Sequence, residues 1–320
     1  MKRIFSTLII ALLLTECSTD KYPFVLQEFE VPVDGYKCLI IGDWGRHGSL
    51  NLDANAKMMD NLSCRMSINA VLTTGDNFYN NGVDGASDAH WNQSFVDVFD
   101  GTCLKPIPWW PSLGNHDVRG NTTAQIDYSQ LSDRWNMPAT YYDRWIMTED
   151  SVSIHFITVD TSPFVLDYYS DPANTEMEQH VTTADTSLQL SWLDSVLPLG
   201  NPDWLVVYGH HPVYAADGRH GSTDELIEKF APRFETNGVD VYFAGHNHDL
   251  ELIKTEQKTL YITSGGGSVG QDRIELKPYN VFGVNESGFV LSSFAKDSVQ
   301  LDFISKEGKR LFSYVGPRIP

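Results

Sequence analysis

Cys38-Leu39-Ile40-Ile41-Gly42-Asp43-Trp44-Gly45 is an unbroken apolar run that stops on a glycine and hands a carboxylate to the turn beyond it. Such a run, bounded by turn residues, is a buried β-strand. The pattern recurs along the chain. Residues 70–74 run into Gly75-Asp76-Asn77-Phe78-Tyr79, 109–113 into Gly114-Asn115-His116-Asp117, 204–208 into Gly209-His210-His211-Pro212, and 239–244 into Gly245-His246-Asn247-His248. Further apolar, β-branched runs lie at 152–159 and 260–263. Segments with helical spacing fall between them, at 53–66, 88–99, 124–135, 187–197 and 223–234. Alternation of this kind builds α/β units with parallel strands and helices on the outer faces. After residue 285 the runs shorten to 289–294, 299–304 and 310–315, with Gly308 in a turn, so this end is expected to be antiparallel.

The chain has 320 residues, 42% of them hydrophobic, with no internal repeat and no Ser/Gly/Pro-rich linker, which predicts a single domain over 20–320. Forty-two acidic against 23 basic residues give a formal charge of -19, so a sequence-independent grip on nucleic-acid backbone has no electrostatic basis. At the N-terminus Lys2 and Arg3 precede a short apolar run at 8–14, too short for the ~20 residues of a membrane span. Residues 1–19 therefore read as a secretory signal, and the protein as secreted or otherwise extracytoplasmic. Cys17 directly follows the run, but Glu16 stands where a lipoprotein signal wants a small residue, so lipid anchoring is the lesser alternative. Without the signal, Cys38, Cys64 and Cys103 remain. Cys38 belongs to a core strand, whereas Cys64 and Cys103 each precede a strand and meet at one sheet edge if those strands are parallel neighbours. A Cys64–Cys103 disulfide is expected. Asn61, Asn92, Asn121 and Asn285 open sequons that suit a secreted glycoprotein.

Ligands of open α/β sheets bind beyond the carboxyl ends of the strands, and this is where the chain keeps its donors. Asp43, Asp76, Tyr79, Asn115, His210, His246 and His248 all follow strands closely. Singly, an Asp after Gly is a turn former and a His beside a strand is a core or surface residue. Together, seven oxygen and nitrogen donors exceed the needs of one divalent ion and match two ions sharing a bridging carboxylate. A phenol with a pKa near 10 becomes a ligand only beside a strongly Lewis-acidic ion, so Tyr79 argues for Fe(III).

The order Gly-Asp-Trp-Gly, Gly-Asp-Asn-Phe-Tyr, Gly-Asn-His-Asp, Gly-His-His-Pro-Val-Tyr, His-Gly-Ser-Thr, Gly-His-Asn-His resembles the calcineurin-like metallophosphoesterases. Within them it is similar to the small, mammalian-type tartrate-resistant purple acid phosphatases. The similarity extends to Ala124-Gln125-Ile126, Trp135-Asn136 and Gln189-Leu190-Ser191-Trp192-Leu193. The resemblance implies an α/β fold, a two-sheet mixed β-sandwich flanked by α-helices. It implies Fe(III) on Asp43, Asp76, Tyr79 and His248, and Fe(II), Zn(II) or Mn(II) on Asp76, Asn115, His210 and His246, with Asp76 bridging. It also implies an acid phosphatase, in which metal-activated hydroxide attacks the phosphorus of a phosphomonoester and His116 or His220 protonates the leaving group. The substrate would be a small molecule or a phosphoprotein, and the enzyme a monomer. A phosphodiesterase on this scaffold, or a non-catalytic iron- or phosphate-binding protein, are the alternatives.

Three departures from the family pattern stand out. Val118 replaces the last His of Gly-Asn-His-Asp-His, removing a polar side chain from the vicinity. One extra residue lies between His210 and His220, and Asn247 and Asp249 are exchanged relative to many relatives. Arg46 and His47 stand beside the first motif, His155 is expected in the core, and His90 and His180 on the surface.

Overall fold

The structure is a computed structural model, and it describes residues 34–169, 178–216, 218–270 and 274–318. The expectations for 1–19 and Cys17 lie outside the described residues. In chain order the elements are β1 (Tyr36–Ile41), α1 (Leu52–Arg65), β2 (Ala70–Thr73), β3 (Trp109–Pro111), α2 (Thr122–Tyr128), β4 (Tyr142–Met147) and β5 (Ser153–Thr158). They continue as α3 (Glu178–Thr183), α4 (Thr186–Val196), β6 (Trp204–Tyr208), α5 (Asp224–Lys229), α6 (Ala231–Asn237), β7 (Val241–Ala244), β8 (Leu250–Lys254) and β9 (Leu260–Ser264). β10 (Asn280–Val284), β11 (Gly288–Phe294), β12 (Ser298–Ser305) and β13 (Arg310–Pro317) close the order. Among the described residues no helix is long and apolar enough to cross a membrane.

Two mixed sheets face each other. One runs β13-β12-β11-β1-β2-β3, the other β10-β8-β9-β7-β6-β5-β4. β1, β2 and β3 are parallel, as are β5, β6, β7 and β9, while β11, β12 and β13 pair antiparallel. The period of two sorts the side chains: Cys38 and Ile40 of β1 enter the inter-sheet core with Leu72, Val206, Phe243, Ile262 and Leu301. Leu39 and Ile41 point the other way, onto Ala56, Met59 and Leu62 of α1. Helices α4, α5 and α6 cover the far face through Leu193, Leu226, Phe230 and Phe234. Register brings the strand ends level, with Ile41 beside Thr73, Thr73 beside Pro111 and Tyr208 beside Phe243. Beneath the first sheet's ends Trp44 is fully buried among Phe78, Phe95, Phe99, Trp109 and Trp135 at ring distances of 5.3 to 6.5 Å. Truncating it to Ala would cost about 3 to 5 kcal/mol.

Because β2 and β3 are parallel neighbours, Cys64 at the end of α1 and Cys103 before β3 do meet, as a disulfide with Cα atoms 5.1 Å apart. Cys38 is free and buried. The helix expected at 223–234 is two helices, because Pro232 has no N–H for the ladder and the chain breaks at Phe230. The one expected at 88–99 shrinks to a wide turn at Asn92–Val96, where the Asp97 N–H reaches the Asn92 carbonyl. At 124–135 the helix starts earlier, where the Asn121 side chain accepts from Ala124 N–H, and stops at Tyr128. Strands β4, β8 and β10 escape the apolar pattern: Asp143 and Arg144 interrupt the first, Glu251 the second and Gly283 the third.

His155 is fully buried on β5 and hydrogen-bonds Asp143 at 2.9 Å. His90 and His180 are not on the surface. His90 is buried and stacks on His47 at 4.0 Å, while His47 itself stays exposed. His180 of α3 pairs with the buried Asp160 at 2.7 Å. Burial works against its imidazolium, but the Asp160 carboxylate outweighs this and raises the His180 pKa above the usual 6.5. A raised folded-state pKa gives stability that is complete below about pH 6.5 and fades as pH rises through the raised value. His180→Gln is therefore expected to lower Tm by about 2 to 5 °C at pH 5. The loss should be clearly smaller at pH 8.5, and an equal loss at both pH values in a thermal melt would show that the charge contributes nothing.

Candidate metal centre

The level strand ends place the donors of both sheets in one spot, and the backbone strains to do it. Asp43, Asp76 and His246 take left-handed φ values of 60°, 52° and 66°. That conformation costs an L-residue about 1 kcal/mol or more and turns each side chain back toward the strand ends. The turn thus falls on the donor residues themselves. Of the glycines before them, Gly75 shares it, with φ 87°. Gly114 serves close approach instead: a Cβ there would lie 2.2 Å from Asp76 N and 2.3 Å from its Oδ1.

Two trios of donors result. In the first, the Tyr79 hydroxyl donates to Asp43 Oδ1 at 3.0 Å and stands 3.2 Å from His248 Nε2, with His248 Nε2 3.4 Å from Asp43 Oδ1. In the second, Asn115 Oδ1 lies 2.9 Å from His210 Nε2 and 3.1 Å from His246 Nδ1, and the two ring nitrogens are 3.2 Å apart. Asp76 lies between the trios, its Oδ1 3.5 Å from His210 Nε2, and ligand atoms of Asp43, Asp76 and His210 fall within 4.8 Å of one another. All seven candidate residues are therefore in one cluster.

Its chemistry fits cations. His210 donates its Nδ1–H to the Thr74 carbonyl at 2.8 Å, so Nε2 is the nitrogen that faces the other oxygens and nitrogens and gains or loses a proton there. His210, Asp43 and Asp76 are almost wholly buried, where carboxylates without positive partners are costly. Burial acts to raise Asp76, but His210, His116 and the His116 N–H at 2.8 Å hold it below the usual carboxylate range. Burial, with Asp43 and Asp76 beside it, pushes the Tyr79 phenol well above its ordinary value. Only a strongly charged cation would take that proton.

His116 is half-buried. Its Nδ1–H donates to the Asn80 carbonyl at 2.5 Å and its Nε2 lies 3.9 Å from Asp76 Oδ2. Burial lowers its pKa, against the pull of Asp76. His220 is exposed, its ring 4.2 Å from that of His246. A cavity of about 660 Å³ opens beside the trios, lined by Asn115, Arg119, Tyr168, His211, His220 and His246, and by the acidic Asp167, Asp224, Glu225 and Glu228. Val118 faces the aromatic core, while Arg119 faces the cavity with Nη1 3.4 Å from His116 Nδ1. Arg46 is tied into the site: its guanidinium lies 3.4 Å over the Tyr79 ring, and its Nε donates to Ser268, which donates to the Asp43 carbonyl.

The motifs do not reveal Asp117. It is fully buried, and its Oδ1 accepts from Phe78 N and Gln125 Nε2 at 3.0 and 2.9 Å. Its Oδ2 accepts from Asn77 N and Gly114 N at 3.0 and 2.8 Å. Burial and the nearby Asp76 raise its pKa to about 7, against the hydrogen bonds from Asn77, Gly114 and Gln125. The carboxylate clasps the loop that carries Asp76 and Tyr79 to the loop that carries Asn115 and His116. The signal was present, since Asp117 closes the same four-residue motif, but nothing in spacing separates a clasp from a turn former.

Residues 36–250 match the calcineurin-like phosphoesterase family. Tartrate-resistant acid phosphatase type 5 of Rattus norvegicus is 32% identical over 315 residues, covering 92% of this chain and 94% of the relative. Purple acid phosphatase 17 of Arabidopsis thaliana is 31% identical over 305 residues, covering 91% and 88%. Among solved structures, GAP50, the anchor in the inner membrane complex of Plasmodium, superposes with a TM-score of 0.75 at 22% identity over 89% of each chain, a likeness of fold alone. The chain belongs to the calcineurin-like phosphoesterases and is a phosphatase of the purple, tartrate-resistant acid phosphatase type.

Asp117→Asn keeps the shape of the clasp but turns an amide NH₂ toward two N–H donors whichever way it sits. The expected loss is about 2 to 4 kcal/mol in urea unfolding, together with fewer metal ions retained per chain. Unchanged stability would show that the clasp carries no strain-bearing load.

Proposed function

We propose that this phosphatase hydrolyses phosphomonoesters at acid pH with a dinuclear Fe(III)–M(II) centre. The supporting observation is the buried trio in which the Tyr79 hydroxyl meets Asp43 Oδ1 and His248 Nε2. Asp43, Tyr79 and His248 would hold the Fe(III), Asn115, His210 and His246 a divalent Fe, Zn or Mn ion, and Asp76 both. When bound, such a pair supplies Lewis acidity that neutralises phosphate charge and lowers the pKa of water even in acid.

The chain's own residues do the rest. The Thr74 carbonyl fixes the His210 tautomer, and the Asn80 carbonyl fixes His116 so that Nε2 is the nitrogen that gains and loses a proton. A protonated Nε2–H is suited to donate to the leaving oxygen, and acid pH offsets the lowered His116 pKa. His220, on the cavity wall, is the second candidate for that transfer. Arg119 brings a permanent positive charge to the same cavity.

Export completes the proposal: 1–19 as a signal, 20–320 as one domain, the mature protein secreted and monomeric. Of the sequons, Asn92 and Asn121 are exposed, whereas Asn61 is buried in α1 and is a poor glycan site. The test combines p-nitrophenyl phosphate hydrolysis, metal analysis and an absorption spectrum of the purified protein. Two metal ions per chain, acid phosphatase activity and a visible tyrosinate band are expected. Tyr79→Phe keeps the ring's packing and should abolish the band while retaining iron and some activity. Asp76→Ala should lose most metal and nearly all activity. Iron-loaded wild-type protein without the band would remove Tyr79 from the centre.

A further inference from the structure

One buried histidine has no part in the chemistry above. His211 is 1% exposed, lines the cavity beside Asn115 and His246, and sits in the middle of a chain of three side chains. Its Nδ1 is 2.8 Å from Thr161 Oγ1, and its Nε2 is 2.7 Å from the Tyr168 hydroxyl. Thr161 Oγ1 also accepts the backbone N–H of His211 at 3.1 Å.

Counting protons gives this chain a direction. Thr161 is fully buried, so its hydroxyl hydrogen needs an acceptor. Among the described residues His211 Nδ1 is the acceptor within reach. Nδ1 then bears no hydrogen, and a ring with one hydrogen carries it on Nε2. Nε2–H donates to the Tyr168 oxygen, which leaves the Tyr168 O–H without an acceptor among the described residues and on the wall of the cavity. With the opposite tautomer Tyr168 would donate to His211 and turn only lone pairs toward the cavity. A phosphoryl group offers acceptors alone, so it would be repelled by that arrangement and held by the first.

We propose that Tyr168 is a substrate-contacting residue whose O–H donates to a phosphoryl oxygen of substrate or to the phosphate product, and that Thr161 and His211 are positioning residues that orient it. This rests on the phosphomonoesterase function proposed above and names a further part of its binding site. Arg119 lines the same cavity, so the pair would offer one charged and one neutral donor to the same anion.

Turnover of p-nitrophenyl phosphate by the wild-type protein tests the phosphatase function first. The new site is read from inorganic phosphate, as a competitive inhibitor and by direct calorimetric titration, so it is measured whether or not turnover is seen. Tyr168→Phe is expected to weaken phosphate binding and raise KM about ten-fold, with kcat changed by less than about three-fold. Thr161→Val, which touches no substrate, should weaken phosphate binding about three- to ten-fold, and Thr161→Ser should behave as wild type. The double variant should be no weaker than Tyr168→Phe alone. In a ¹⁵N-labelled diamagnetic form, His211 should show a protonated Nε2 and a bare Nδ1. Unchanged phosphate affinity in Tyr168→Phe, or a hydrogen on Nδ1 of His211, would overturn the proposal.

Discussion

Hydrogen bonds across the seam between the two sheets are the constraint on which the rest depends. Gly42 N–H donates to the Ser264 carbonyl at 2.8 Å, and Ser264 Oγ returns a bond to the Ile40 carbonyl at 2.8 Å. His210 Nδ1–H reaches the Thr74 carbonyl, and His246 N–H reaches Asp43 Oδ2 at 2.9 Å. Each joins the first sheet to the second at the carboxyl ends of the parallel strands. Sheet packing alone would leave the edges about 10 Å apart. The seam closes that gap at one end, bringing Asp43, Asp76 and Asn115 of one sheet against His210, His246 and His248 of the other. Left-handed backbone at three of these positions is the cost of the closure, and the buried core on both sides supplies the rigidity that sustains it.

Rigidity reaches the donors by two routes. On one side the aromatic cluster around Trp44 fixes the loop that follows β1, and Phe78 from the next loop belongs to the same cluster. On the other side the Asp117 carboxylate joins that next loop to the one after β3 through backbone N–H groups. Three consecutive loops are thus tied by one apolar and one polar device. Neither touches the donor atoms, yet a donor displaced by 1 Å would no longer serve a shared ion. The polar device is the more fragile of the two, because an unsatisfied buried N–H costs more than a lost apolar contact of similar size.

The clustering of the seven candidate donors and the parallel α/β strands were legible because each donor follows closely on an apolar strand, and strand ends in such sheets converge by topology; the two-sheet arrangement came from the family resemblance. The Cys64–Cys103 bridge was legible for the same reason, since it needed only that β2 and β3 be parallel neighbours. What stayed hidden depends on direction rather than position. Val118 and Arg119 are adjacent, and only the short turn after His116 decides that the valine enters the aromatic core and the arginine the cavity. His90 looks like a loop residue until His47 stacks on it. Asp117 and the Thr161–His211–Tyr168 chain are built from residues far apart in sequence, whose meaning lies in which proton goes where. Edge strands β4 and β10 hid because half-exposed strands carry the charges and glycines that blur an alternating pattern.

Charge poses the remaining question, since a chain with a net charge of -19 must admit an anion. Of the acidic side chains that line the cavity, Asp167, Asp224 and Glu228 are exposed to water and salt and Glu225 is half-buried. At physiological ionic strength the Debye length is about 8 Å, so the repulsion of the exposed ones is screened beyond that distance. The inner donors act in the opposite regime. Arg119, His116 and Tyr168 are half-buried, where a hydrogen bond to an anion would be less screened than in bulk water. Short-range donors therefore outweigh the long-range field at the point of binding, although the field slows arrival. The acidic residues of the cavity lining also favour release, because they repel a phosphate dianion that has left those donors.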